Sequence, residues 1–139
     1  MRPPDQVKRE LLRQWLAKAE EDFSLAGFLV SQKTPYVNAV GFHAQQAAEK
    51  YLKAFLVNYQ IEFPKTHDLG ELLDLVASVD SSLAASLRDA TMLNPYGVDI
   101  RYPAEFPDMT PEEAEKALGL AGKVRAAIQK SLGRSGARS

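Results

Sequence analysis

"FHAQQAAEKYLKAFL", residues 42–56, threads a histidine, two glutamines, a glutamate and two lysines through alanines and aromatics. Placed on a helical wheel at about 100° per residue with His43 at zero, Val40, Ala44, Ala47, Ala48, Tyr51, Leu52 and Phe55 fill an arc from roughly 40° to 180°. Such an arc belongs to a heavily buried helix. His43, Gln46, Lys50 and Lys53 fall within about 80° of one another on the side facing away from it. They form one polar, cationic stripe. Gln45 and Glu49 sit on a different polar edge, and Glu49 with Lys53 reads as an i,i+4 pair worth a few tenths of a kcal/mol.

Working outward, Leu12, Leu16, Ala19, Phe23, Ala26 and Val30 alternate spacings of four and three, which predicts a first helix from Pro3 to about Gln32. Its charged residues Lys18, Glu20, Glu21 and Asp22 fall mostly between the stripe positions. "QKTPY" breaks the pattern at Pro35, and the second helix is predicted from Tyr36 to Tyr59. Thr66 or Asp68 can cap a third helix carrying Leu69, Leu72, Leu73 and Val76. After a short interruption at "SVDSSL", Leu83, Leu87 and Ala90 continue the period. The period is lost from Asn94 to Met109, where "NPYGVDIRYPAEFPDM" holds three prolines, a glycine and three aromatics. A connection this long in a small domain is more often functional than idle, and its aromatics argue for packing. "TPEEAEKAL" then offers Thr110 as N-cap, Pro111 at the first helical position and Glu113 to close a capping box. The last helix repeats Ala114, Ala117, Leu118, Ala121, Val124, Ile128 and Leu132, and the tail from about residue 133 is expected to fray. No strand-like alternation and no solenoid repeat interrupts this series. The fold class expected is all-α, an antiparallel up-and-down bundle of four to five helices forming one domain over residues 1–139.

Composition narrows the chemistry. The 17 basic and 18 acidic residues leave a net charge of -1, so global electrostatics give no reason for tight binding to nucleic acid or an anionic membrane. No apolar run spans a bilayer and "MRPPDQVKRE" lacks the core of a signal peptide, so a cytoplasmic location is expected. The absence of cysteine excludes a disulfide framework, a thiolate nucleophile and a sulfur-ligated metal. Two histidines without an HExxH-type carboxylate spacing make a poor metal set, so no metal is expected. Phosphate-loop and dinucleotide glycine patterns and the Gly-x-Ser-x-Gly elbow are absent, and no cofactor is expected. His67, in "KTHDL", reads equally as a capping or loop residue.

In combination, "FHAQQAAEKYLKAFL", "THDL" about ten residues later, "RYP" in a loop and a final "EEAEKAL" helix resemble the HEPN domain of prokaryotes over about Trp15 to Leu132. The resemblance implies a helical bundle, usually a homodimer, often encoded beside a minimal nucleotidyltransferase and associated with nucleotide binding, toxin-antitoxin and other defence systems. It raises His43, Gln46, Lys50, Lys53, His67 and Arg101 as a shared polar site, with Tyr102 beside the arginine as a further ligand-binding candidate. In one respect this sequence departs from the family. The ribonuclease branch carries an arginine and a histidine separated by four to six intervening residues; counted from Arg101, the positions where the histidine would fall are Phe106, Pro107 and Asp108. No imidazole stands there to move a proton near neutrality.

Three readings follow. The first is a module that binds a nucleotide or nucleic-acid phosphate and partners a nucleotidyltransferase, with Lys50, Lys53 and Arg101 on phosphate and His43, Gln46 and His67 as oriented hydrogen-bonding groups. The second is a metal-independent ribonuclease of toxin type, pairing Arg101 with His43 or His67. The third is a non-catalytic protein-interaction module anchored by Tyr36, Tyr51, Tyr59 or Tyr102.

Overall fold

The computed structural model describes residues 4–97 and 108–136, with side chains through residue 133. Every regular element among these residues is helical: α1 (Pro4–Ser31), α2 (Val37–Asn58), α3 (Leu69–Ala77), α4 (Ser81–Ser86), a 3₁₀ stretch (Arg88–Gly97) and α5 (Pro111–Gly136). α2 lies at the centre and packs against α1, α3, α5 and the 3₁₀ stretch. That position follows from its sequence. Val40, Ala44, Ala47, Ala48, Tyr51, Leu52 and Phe55, the arc expected to be apolar, are all buried. The alanines let neighbouring helices approach closely, and α1 answers with the buried Ala19 and Ala26.

The helix boundaries follow local chemistry. Asp68 caps α3 by accepting from the Gly70 amide at 2.8 Å, and Asp80 caps α4 through the Leu83 amide at 3.0 Å. At α5 the expected capping box is complete: Glu113 N donates to Thr110 Oγ1 at 3.1 Å and Thr110 N to Glu113 Oε1 at 2.9 Å. One expectation needs correcting. The helical period read through Leu83, Leu87 and Ala90 is divided between α4 and the 3₁₀ stretch, which runs on to Gly97 with Pro95 inside it. Leu87, Ala90 and Leu93 are buried at three-residue spacing, which satisfies a 3₁₀ turn as well as an α-helix.

Both ends of the connection to α5 are fastened to α2. Asn38 accepts from the Met109 amide at 3.0 Å and donates to Asp108 Oδ1 at 2.9 Å. At the other end Gly97 lies against the Gln45 side chain, so closely that a Cβ there would come within 2.6 Å of it. Between the two, Gly41 admits Met109 and Tyr96; a Cβ on it would lie 2.5 Å from Met109 Sδ and 3.1 Å from Tyr96 Cγ. Arg101 and Tyr102, with Phe106 and Pro107, lie outside the described residues.

α1, α2 and α5 are joined by one polar cluster. Glu20 accepts from Arg125 Nε at 2.7 Å and Nη2 at 3.2 Å, from Gln129 Nε2 at 3.0 Å and from the Tyr51 hydroxyl. Arg125 also stacks on Phe23, 5.1 Å from the ring centroid. The Arg125 hydrogen bonds hold the Glu20 carboxyl below the usual carboxylate range, against the opposing effect of burial. Burial first, then the bond to Glu20, pushes the Tyr51 phenol upward. Tyr51 is fully buried, so it belongs to the interior and is not a surface anchor.

Two outcomes are expected. Gly41→Val should destabilise the fold by about 1–3 kcal/mol through overpacking against Met109 and Tyr96, read as a lower urea midpoint; an unchanged midpoint would refute the close approach. Because the folded-state pKa of Glu20 is depressed, its contribution is present above the unfolded carboxylate range and lost as pH falls through the folded value. The stability gap between wild type and Arg125→Ala should therefore narrow between pH 7 and pH 3, leaving the part due to Phe23 stacking. An equal gap at both pH values would contradict this.

Candidate functional site on the second helix

Two buried carboxylates organise the polar residues of α2. Asp22 of α1 is only 9% exposed. Its Oδ1 accepts from His43 Nδ1 at 2.8 Å and its Oδ2 accepts from the Lys50 ammonium. His43 and Lys50 are seven residues apart, two turns along one face, so a single carboxylate from the neighbouring helix reaches both. An ionised carboxylate only accepts, so His43 carries its proton on Nδ1, and the neutral ring presents Nε2 as an acceptor. Phe42 stands edge-on to the same ring, with centroids 5.2 Å apart.

Glu49 is 3% exposed and anchors the second group. Its Oε2 accepts from Lys53 Nζ at 3.1 Å, and its Oε1 from His67 Nδ1 at 2.9 Å and Gln45 Nε2 at 3.3 Å. Gln45 Nε2 also donates to the His67 carbonyl at 3.0 Å, and its Oε1 accepts from Gln46 Nε2 at 2.7 Å. The charge on Glu49 thus fixes the orientation of two successive amides. Lys53 is itself 6% exposed and lies beneath two aromatic rings, with Nζ 5.4 Å from the Trp15 centroid and 5.7 Å from that of Phe63. Paired to a carboxylate and faced by two π-clouds, a buried ammonium is tolerable.

His67 reaches Glu49 from the turn before α3, which its neighbours hold. Thr66 Oγ1 accepts from Asp68 N at 3.1 Å; Asp68 Oδ1 accepts from Asn94 Nδ2 at 3.1 Å; and Asn94 Oδ1 accepts from Leu69 N at 2.9 Å. The imidazole is held at Nδ1 yet its side chain is 74% exposed, so Nε2 is open to a ligand.

The stripe expected from the sequence therefore divides. His43 and Lys50 meet at Asp22, Lys53 and His67 meet at Glu49, and Gln46 joins the second group through Gln45. Arg101 and Tyr102 fall outside the described residues. Two features of the sequence reading change. The Glu49–Lys53 pair is buried rather than a weak surface pair, and Gln45 and Glu49 lie in the interior rather than on a polar edge. Nor is the stripe electrostatically cationic, since Asp22 and Glu49 offset Lys50 and Lys53. Asp22 was discoverable: it lies three residues after Ala19 and four before Ala26, on the buried face of α1. Leu56, two turns beyond Glu49, likewise marks that side of α2 as interior.

What remains reachable is a half-open strip of α2 formed by Phe42, His43, Gln46 and Lys50, all intermediate in exposure. Lys50 gives one of its three N–H groups to Asp22 and keeps two for a ligand. Among the described residues no group of three or more His, Asp or Glu side chains is arranged to hold a metal. No described helix is long and apolar enough to cross a membrane.

The chain is an all-helical bundle built around one central helix, with carboxylate-anchored histidines and lysines along it. The HEPN domain model matches residues 12–132, and the chain belongs to that family. A crystal structure of an archaeal HEPN homologue superimposes with a TM-score of 0.66 at 23% identity, covering 86% of this chain and 96% of that one. That likeness concerns the fold. No curated protein matches the chain.

Replacing Lys53 by Met should leave Glu49 buried without its cation and cost about 3–5 kcal/mol. Urea unfolding checks this, and a loss below about 1 kcal/mol, as for a surface pair, would show that the pair is not buried in solution.

Proposed function

We propose that this HEPN domain binds a nucleotide or nucleic-acid phosphate along the open strip of α2 and partners a minimal nucleotidyltransferase in a toxin-antitoxin or defence system. The observation that carries the binding reading is the pair of carboxylate-held imidazoles. His43 and His67 are each fixed through Nδ1, leaving Nε2 and the remaining Lys50 protons as oriented groups for a ligand. In this reading Lys50 and Arg101 contact phosphate, Gln46 and Tyr102 contact base or sugar, and Lys53 acts from beneath by holding Glu49. Family membership and the resemblance in the "THDL" and "RYP" segments support the partner and the setting, as they support self-association and action in the cytoplasm.

A metal-independent ribonuclease is the second reading. It is favoured by the same geometry, because an imidazole anchored through Nδ1 on a carboxylate is arranged for proton transfer at Nε2. Of the three positions where the ribonuclease branch would carry its histidine, Asp108 is the one among the described residues, and it is engaged with Asn38. The proton-transfer group in this reading is therefore His43 or His67. A protein-interaction module would instead use the exposed Tyr36 and Tyr59.

Calorimetry with AMP, ATP and short single-stranded RNAs tests the proposal. Binding should weaken about tenfold in Lys50→Ala and in His67→Ala, as for loss of one charge-assisted or oriented hydrogen bond. An absence of heat at millimolar ligand, or undiminished binding by both variants, would overturn it. RNA cleavage in EDTA that disappears in His43→Ala or His67→Ala would establish the second reading.

A further inference from the structure

The chain of amides that starts on Glu49 ends on the open strip of α2, and it fixes which atom is offered there. Gln45 is fully buried, and its Nε2 donates both to Glu49 Oε1 at 3.3 Å and to the His67 carbonyl at 3.0 Å. An ionised carboxylate and a carbonyl only accept, so a flipped Gln45 amide would set oxygen against oxygen twice. Gly97 lies so close that a Cβ there would come within 2.6 Å of Gln45 Oε1, which restricts rotation of the group. The Gln45 oxygen is thereby committed to Gln46, whose Nε2 it accepts at 2.7 Å. That bond commits the Gln46 nitrogen in turn. Gln46 Oε1 is left as the end of the relay, bonded to no described residue, on a side chain that is half-exposed.

His43 supplies the second observation. It stands one turn before Gln46 on the same face, gives its Nδ1 proton to Asp22, and in the neutral ring offers Nε2 as an acceptor. Two acceptors, each oriented by a different buried carboxylate, therefore neighbour one another, with the Lys50 ammonium as the adjacent cation. Side chains one turn apart are separated by about 5–6 Å at Cβ. The two N–H bonds of a trigonal amino group diverge by about 120°, and acceptors about 2.9 Å from its nitrogen then lie about 5 Å apart. The spacings agree. A keto oxygen in the same place has no hydrogen to give and turns its lone pairs on both acceptors.

We infer that the strip selects the exocyclic amine of a nucleobase: His43 Nε2 and Gln46 Oε1 accept its two N–H groups, so adenine and cytosine are taken over their keto counterparts hypoxanthine and uracil. This rests on the proposed nucleotide site and adds the base edge that it reads. Gln45 is a positioning residue, acting through the orientation of Gln46.

Calorimetry at pH 8, above the ordinary titration range of imidazole, tests the inference with two pairs that exchange an amine for a keto group, AMP with IMP and CMP with UMP. The amino member of each pair should bind at least about tenfold more tightly. Gln46→Met, similar in length but without the acceptor, should cut both ratios several-fold with unchanged helical circular dichroism. Gln45→Met should also cut them, although every group on the strip is retained. Equal binding within either pair, or ratios unchanged in Gln46→Met, would overturn the amine selection and leave the nucleotide site standing. Ratios lost in Gln46→Met but unchanged in Gln45→Met would overturn the relay. No binding by any of the four nucleotides would overturn the site itself.

Discussion

Burying a carboxylate is costly unless it is paired and fully hydrogen-bonded, and this small bundle buries two of them against one helix. Asp22 and Glu49 oblige α2 to present cations and donors at fixed positions, and the polar half of the helix is organised around that requirement. His43 and Lys50 fall two turns apart to reach Asp22. Lys53, Gln45 and the distant His67 gather on Glu49, which ties the turn before α3 to the central helix. Gln45 extends the same constraint toward the 3₁₀ stretch, because Gly97 closes over its amide at the point where the connection carrying Arg101 departs. A structural necessity, neutralising interior charge, thereby produces a surface whose hydrogen-bonding directions are set in advance.

That origin explains the polarity of the strip. A carboxylate cannot donate, so both histidines place their proton inward and turn Nε2 outward in the neutral form. Two carboxylates and two ammonium groups cancel, which makes the site one of oriented groups rather than of net positive field. Recognition there depends on geometry first, with Lys50 supplying the accessible cation. The Glu20–Arg125–Tyr51 cluster does different work. Its Glu20 and Arg125 are more exposed than Asp22 and Glu49, and it fastens α5 to the first two helices.

Much of this was legible in the sequence because helix periodicity and capping are local. The apolar arc of α2, the Asp68 cap and the Thr110–Glu113 box all follow from residues within a turn or two of one another. The HEPN family was also legible from "FHAQQAAEKYLKAFL", "THDL" and "RYP" taken in order, and the match over residues 12–132 establishes it. The 3₁₀ stretch was not, because Leu87, Ala90 and Leu93 at intervals of three serve either helix type. The site was half legible. Its histidines and lysines stood out by type, whereas their pairing depends on Asp22, 21 residues before His43, and on Glu49, 18 residues before His67. A wheel drawn for one helix places charges on a face but cannot supply the partner that arrives from another.

Asp22 and Glu49 fix the proton of each histidine, and long-range ¹H–¹⁵N correlation spectra of the imidazole rings test this directly. With the rings neutral, both His43 and His67 should show the proton on Nδ1 and a bare, acceptor-type Nε2. A spectrum in which either neutral ring carries its proton on Nε2 would mean that its carboxylate does not hold it in solution, and would contradict the site as described.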